Sequence, residues 1–101
     1  MKLYYVVGSP NCRKVHAVVN HLGLSLDFEY LDFLGGDLRA PDFRAFNPNG
    51  MVPVLVDDGF VLWESTAILR YLANGTALLP TAKRAVAEVD RWLAWQVAHL
   101  A

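Results

Sequence analysis

The spacing of apolar and polar residues changes several times along the chain, and each change marks an element. Lys2 to Val7 is an apolar run rich in Tyr and Val, broken by Gly8 and Pro10, which predicts a short buried strand. From Cys12 to Leu22 the apolar residues Val15, Val18, Val19 and Leu22 recur at helical spacing, and Gly23 supplies a stop. The period returns to two over Leu26 to Leu31, where Leu26, Phe28 and Tyr30 alternate with Asp27 and Glu29, so a second strand is expected. Two strands with a helix between them pair in parallel through a right-handed crossover.

Between Asp32 and Asn49 the periodicity is weaker: Gly35-Gly36 reads as a loop, and Pro41 opens a short helix through Phe46. Val52 to Leu62 holds two apolar runs around Asp58-Gly59, the signature of a tight antiparallel hairpin. Glu64-Ser65 then leads into a helix carrying Ala67, Ile68, Tyr71 and Leu72, with Ser65 as its cap and Asn74-Gly75 as its end. After Pro80 a long helix is expected from Thr81 nearly to the C-terminus, with Ala82, Val86, Val89, Leu93, Gln96 and Leu100 on one face and Trp92 and Trp95 widening it. The order strand, helix, strand, short helix, hairpin, helix predicts one α/β layer structure, and the last helix carries more apolar surface than that domain would cover.

Composition narrows the class. The 101 residues suffice for one small domain, and with 54% apolar and 19% charged residues the chain can fill a core. Nine Lys and Arg against ten Asp and Glu leave a formal charge of −1, scattered along the chain, so no footprint for nucleic acid or an anionic membrane is present. The five apolar residues after Lys2 are too few for a secretory core or a membrane span, and a cytoplasmic location is expected. The single Cys12 forms no internal disulfide, and with His16, His21 and His99 it makes no zinc pattern, so no metal or cofactor is expected.

Candidate chemistry begins with Gly8-Ser9-Pro10-Asn11-Cys12. Two cysteines at this spacing in a strand-to-helix turn are a redox motif; here the first position is Ser9. A helix start favours negative charge, and a hydroxyl can donate to a thiolate placed there. Lowering a thiol pKa by about two units takes roughly 2.7 kcal/mol, the order that one charged hydrogen bond and a helix end supply. The alternative is that Ser9 only caps the helix. Cys12 reads as a buried structural cysteine, with thiol exchange as its alternative. Pro53 suits a strand start, or else it leaves Val52 with free backbone groups at a sheet edge, able to pair with a peptide-like ligand. Glu64 and Ser65 are either an ordinary helix start or a seat for a zwitterionic amino-acid end, the carboxylate on Ser65 and the ammonium near Glu64.

Three stretches, Tyr4 to Val15, Asn47 to Ser65 and Ala67 to Ala73, together resemble the N-terminal domain of soluble glutathione transferases of the theta and delta type or related bacterial forms. The resemblance implies a thioredoxin-like domain over residues 1–79, βαβ-α-ββα with a mixed four-stranded sheet. One long helix follows over residues 80–101, matching the start of an all-α second domain, so the chain reads as half of an enzyme. It also implies that Ser9 hydrogen-bonds the glutathione thiolate, that Val52 pairs with the cysteinyl backbone, that Pro53 is a cis-proline, and that Glu64 and Ser65 grip the γ-glutamyl end. Glutathione is then a substrate, attacking a small electrophile, and the opening serine need not attack because the ligand brings the sulfur.

The chain departs from the delta-type pattern at Leu38, Gly50 and Thr66, which stand in place of histidines and an arginine, and at Met51, in place of a lysine. Arg39 is the nearest substitute for contacts to the glycine carboxylate. A homodimer or other self-association is expected through the final helix. Two further readings stand beside this one: a non-catalytic interaction module using the Trp92 and Trp95 helix, and a glutaredoxin-like oxidoreductase using Cys12.

Overall fold

The computed structural model describes residues 1–100, except for the side chain of Leu100; that side chain, assigned above to the apolar face of the last helix, and Ala101 lie outside the described residues. Strand β1 spans Lys2–Tyr5, helix α1 Pro10–Leu22, β2 Asp27–Tyr30, α2 Pro41–Phe46, β3 Val54–Asp57, β4 Phe60–Trp63, α3 Ser65–Ala73 and α4 Lys83–Trp95. A 3-10 turn over Asp37–Arg39 precedes α2, and a π-helical turn over Gln96–Leu100 continues α4. The strands form one sheet in the order β2-β1-β3-β4, with β1 and β2 parallel and the two other pairings antiparallel. This is the mixed four-stranded sheet of a thioredoxin-like domain.

Alternation along the strands sends side chains to opposite faces, and both faces are covered. Leu3 and Leu55 point to one face, where α1 and α3 bury them with Val15, Val19, Ile68 and Leu72. Val54 points to the other, against Leu38 and Phe43, with Tyr4 and Phe46 packed beside them. Tyr4 stands between Phe43 and Phe46, its ring centroid 6.2 and 5.2 Å from theirs.

Several elements differ from the sequence expectation. Strand β1 stops at Tyr5 rather than Val7, because the Val6 carbonyl turns to accept the Ser9 N–H at 3.4 Å. Of its residues only Leu3 is fully buried. Strand β2 is exposed throughout: it is an edge strand that the packed helices barely reach, and the ring of His16 from α1 stacks on Phe28 at 4.9 Å. Helix α1 begins two residues earlier than its apolar period, since Ser9 caps it and Pro10 takes the first position, where a missing N–H does no harm. Its other end is as expected: Gly23 takes φ 66° and its N–H and that of Leu24 close on the carbonyls of Asn20 and Val19.

Helix α4 begins at Lys83 instead of Thr81. Its Val86, Val89, Leu93 and Gln96 are half-buried, as the period predicts, whereas Ala82 is exposed as the N-cap residue. Val89 and Leu93 share an apolar groove with Val18, Leu69, Ala73, Leu78 and Leu79. Two polar contacts tie the helix down: Lys14 Nζ donates to Gln96 Oε1 at 2.8 Å, and Arg70 Nε lies 2.9 Å from Asp90 Oδ1. The second is an ion pair without hydrogen-bond alignment. Partial burial lowers the pKa of Lys14. Trp92 and Trp95 stay exposed, at 59% and 43%.

Ile68 is completely buried between the helices and the sheet, so Ile68→Ala is expected to lower unfolding free energy by about 2–5 kcal/mol in urea titrations. Leu34→Ala, at a 91% exposed loop tip, is expected to change it by less than about 0.5 kcal/mol. Equal losses at the two positions would contradict this core.

Candidate active site

The candidate residues come from three separate stretches, and strand register brings them together. Tyr4 pairs with Val54, and Val54 with Trp63. Just past that row, on the same end of the sheet, β1 runs on to Ser9, β3 is entered from Val52-Pro53, and β4 exits into Glu64-Ser65. Strand β3 is central rather than lateral. Val52 is therefore at the end of the sheet, where the ladder has not yet begun, and not at its edge. Among the described residues its N–H and C=O take no hydrogen bond. The Val52-Pro53 peptide is cis.

Ser9 is the N-cap of α1, and its Oγ accepts the N–H of Cys12 at 3.3 Å. The cap reading and the donor reading of Ser9 are compatible, because capping uses an oxygen lone pair and leaves the hydroxyl proton free to donate. The helix start itself offers less than expected. Pro10 has no N–H, and the N–H groups of Cys12 and Arg13 close on the Ser9 Oγ and carbonyl, so Asn11 carries the one open amide of this first turn. Cys12 is buried, with 1% exposure.

Helix α3 has the opposite character. Glu64, not Ser65, is its N-cap residue, with φ 79° and ψ 112°, and its side chain makes no capping bond. A non-glycine residue at such angles stores about 1–3 kcal/mol of backbone strain. Ser65 is the first helical residue and is buried, with 8% exposure. The first intrahelical bond runs from Ile68 N–H to the Glu64 carbonyl, and the amides of Ser65, Thr66 and Ala67 precede it without a side-chain cap.

Two cavities open here. A small one of about 80 Å³ is lined by Asn11, Met51, Val52, Pro53, Glu64 and Ser65, with Asn47, Asn49 and Trp63. A larger groove of about 500 Å³ runs from Asn11, Glu64, Ser65 and Thr66 to Asp90, Leu93, Ala94 and Val97 of the last helix and its π turn. Ser9 lines neither cavity; Asn11, two residues on, lines both. Arg39 is exposed in its 3-10 turn, its guanidinium folded toward Gly36, and lines neither. Among the described residues no group of three His, Cys, Asp or Glu could hold a metal ion.

Three of the departures have structural roles. Leu38 is part of the core beneath α2. Gly50 takes φ 64°, and a Cβ there would come within 3.1 Å of the Leu38 carbonyl and 2.8 Å of Arg44 Nη2. Thr66 lines the larger groove. Sequence reasoning missed Asn11, Asn47, Asn49 and Trp63. Asn11 sits two residues past Ser9, inside the first helical turn, and that spacing was the available signal. Trp63 immediately precedes Glu64 and was hidden as a strand residue.

A thioredoxin-like α/β domain whose turn and loop residues gather at one end of its sheet is the class of protein defined by this arrangement. Residues 3–77 match the family model described as the glutathione S-transferase N-terminal domain. The chain is 41% identical to glutathione S-transferase 3 of Zea mays, over 98% of this chain and 46% of that protein. It superposes on a glutathione S-transferase from Pseudomonas fluorescens with TM-score 0.90 and 41% identity, covering 96% of this chain and 49% of the other. A theta-class enzyme from Xanthomonas axonopodis pv. citri, solved with glutathione bound, gives TM-score 0.90 and 37% identity over 97% and 48% of the two chains. The chain belongs to the glutathione S-transferase family, as its N-terminal domain. It spans about half the length of these relatives.

Relief of the strain at Glu64 provides a test of the site's backbone. Glu64→Gly is expected to raise thermal stability by about 1 kcal/mol, since glycine adopts these angles without the Cβ penalty. A clear loss of stability would show that the side chain, and not the backbone, governs this position.

Proposed function

We propose that the domain binds glutathione, stabilises its thiolate with Ser9 and presents the sulfur to a small electrophile. The observation that carries this reading is the meeting of complementary groups at one end of the sheet: a capping serine with an unused proton, an unpaired Val52 backbone, and an uncapped helix start beside Glu64. Glutathione offers a sulfur, a cysteinyl amide and a zwitterionic γ-glutamyl end to match them. The bound ligand in the Xanthomonas relative supports the same choice. In the reaction the thiol proton leaves to solvent, and the thiolate forms a bond to an electrophilic carbon as that carbon's bond to its leaving group breaks, the leaving group departing with the electron pair. The hydroxyl of Ser9 acts by donating to the anion, with the Asn11 amide and the end of α1 adding to it.

Burial of Cys12 in the first turn of α1 argues against a thiol-exchange reaction at that residue. Arg39 and Met51 enter as peripheral binding residues near the glycine end, Arg39 by reaching in from its exposed turn. The apolar surface of α4 and its π turn, with Trp92, Trp95 and Val97 all exposed, supports a further reading: this helix packs against more protein than residues 1–79 supply, either the helical domain implied by family likeness or a second copy.

Ser9→Ala is expected to slow conjugation by roughly 10- to 1000-fold at neutral pH, the range for losing one donor to an anion. It also loses the cap, lowering stability by about 1 kcal/mol. Ser9→Asp separates the two effects, because a carboxylate caps as well as serine yet has no proton to give: stability should return while conjugation stays slow. Unchanged conjugation in both variants would remove Ser9 from the mechanism.

At the other end of the ligand, Ser65→Ala is expected to weaken glutathione binding by about 1–3 kcal/mol in calorimetry, the usual loss for a hydrogen bond to a charged group. If a fragment lacking the γ-glutamyl group binds as tightly as glutathione, this assignment fails. For the last helix, light scattering of the chain is expected to report self-association that a double Trp92→Gln, Trp95→Gln change reduces. A monomer at high concentration would refute pairing through this face.

A further inference from the structure

Among the described residues Asn47 is one of two buried polar residues, the other being Ser65, and its exposure is 2%. It follows α2, its own N–H bound to the Phe43 carbonyl at 3.0 Å, and it closes a loop onto itself. Its Oδ1 accepts the Asn49 N–H and Asn49 Nδ2, each at 3.0 Å, and its Nδ2 donates to the Met51 carbonyl at 2.9 Å. The orientation of the amide is forced. A backbone N–H can only donate, so the atom facing Asn49 N must be oxygen, and the nitrogen must then face the Met51 carbonyl.

The Met51 carbonyl and the Val52 N–H belong to the same planar trans peptide, in which C=O and N–H point in opposite directions. Anchoring the carbonyl therefore aims the amide. The geometry points to Asn47 as the positioning residue for glutathione: by holding the Met51 carbonyl inward it directs the Val52 N–H outward, away from Asn47, to meet the backbone of the ligand. This rests on the reading that Val52 pairs with the cysteinyl part of glutathione. Asn47 acts on affinity through the direction of one amide and has no part in activating the sulfur, which is the task of Ser9. Arg44 holds the same loop through a different carbonyl, Nη1 to Pro48 O at 3.0 Å, without fixing the Met51-Val52 plane.

The test compares Asn47→Ala, Asn47→Asp and Arg44→Ala with the unaltered 101-residue chain, measuring glutathione affinity by calorimetry and the pKa of the bound thiol by thiolate absorbance. Asn47→Asp is expected to bind about tenfold more weakly, the effect of losing one hydrogen bond at a buried group, and Asn47→Ala, which loses all three side-chain bonds, at least that much more weakly, with the bound thiol's pKa unchanged in both. Asn47→Asp is the informative one, because its carboxylate still accepts from Asn49 but cannot donate to Met51. Arg44→Ala should bind as the unaltered chain does. In the unaltered chain, the Val52 amide resonance should shift and gain exchange protection when glutathione is added, a measurement independent of whether any variant folds.

Asn47→Asp binding with full affinity would overturn the inference, as would a Val52 amide that ignores the ligand. Equal weakening by Arg44→Ala would also overturn it, by reducing Asn47 to general loop stability. If the unaltered chain binds no glutathione at all, the reading beneath the inference fails instead, and the two failures are distinct.

Discussion

One row of backbone pairing, Tyr4 to Val54 to Trp63, brings Ser9, Val52, Glu64 and Ser65 to one end of the sheet. Each member of the row is followed or preceded within a few residues by a segment that leaves the sheet, and all three leave at the same end. Antiparallel pairing of β1 with β3 makes this possible, because the end of one strand then lies beside the start of the other. Pairing in turn depends on side-chain alternation. A one-residue slip of β3 would carry Leu55 away from Leu3, Val15 and Ile68 and turn Val54 into their place, exchanging the contents of two cores. The buried leucines thus specify the register, and the register assembles the site.

Two helix starts meet at this end of the sheet, and they are treated in opposite ways. Helix α1 is finished: a capping serine, a proline at the first position and closed amides leave one open N–H, that of Asn11. Helix α3 is left open, with an unusual backbone at Glu64 and no cap. A helix that leaves its first amides without a capping side chain and stores strain at its entry is less stable than it could be, and such costs concentrate at functional sites. The contrast suits a ligand whose carboxylate needs several donors and whose sulfur needs only a few.

Helix α4 completes the larger groove, yet it rests on the domain lightly. Its apolar contact is a strip from Val89 to Leu93, and its polar ties are the Lys14 to Gln96 hydrogen bond and the Arg70 to Asp90 ion pair. The ion pair is about half exposed and so contributes little to holding the helix. Asp90 nevertheless lines the groove opposite Glu64. The wall formed by Leu93, Ala94 and Val97 is therefore positioned chiefly by apolar packing.

The sequence by itself determined the elements and their order. Apolar runs located β1, β3 and β4, alternation located β2, helical spacing located α1, α3 and α4, Pro41 opened α2, and Asp58-Gly59 marked the hairpin, because these signals are local. The departures at their ends arose where a neighbour through space decides: β1 shortens because Val6 turns toward Ser9, and β2 is exposed because the helices pack over the rest of the sheet. Tertiary structure alone decided that Val52 sits at the end of a central strand, that Glu64 rather than Ser65 turns the chain into α3, and that Arg39 stands outside the cavities. Asn47 is the clearest case. In the sequence it is one asparagine beside a Pro-Asn-Gly turn, indistinguishable from a loop residue. Its burial and its bond to Met51 exist only once α2, the loop and β3 are folded together, since a side chain's hydrogen-bond partners are set by distance in space and leave no period along the chain.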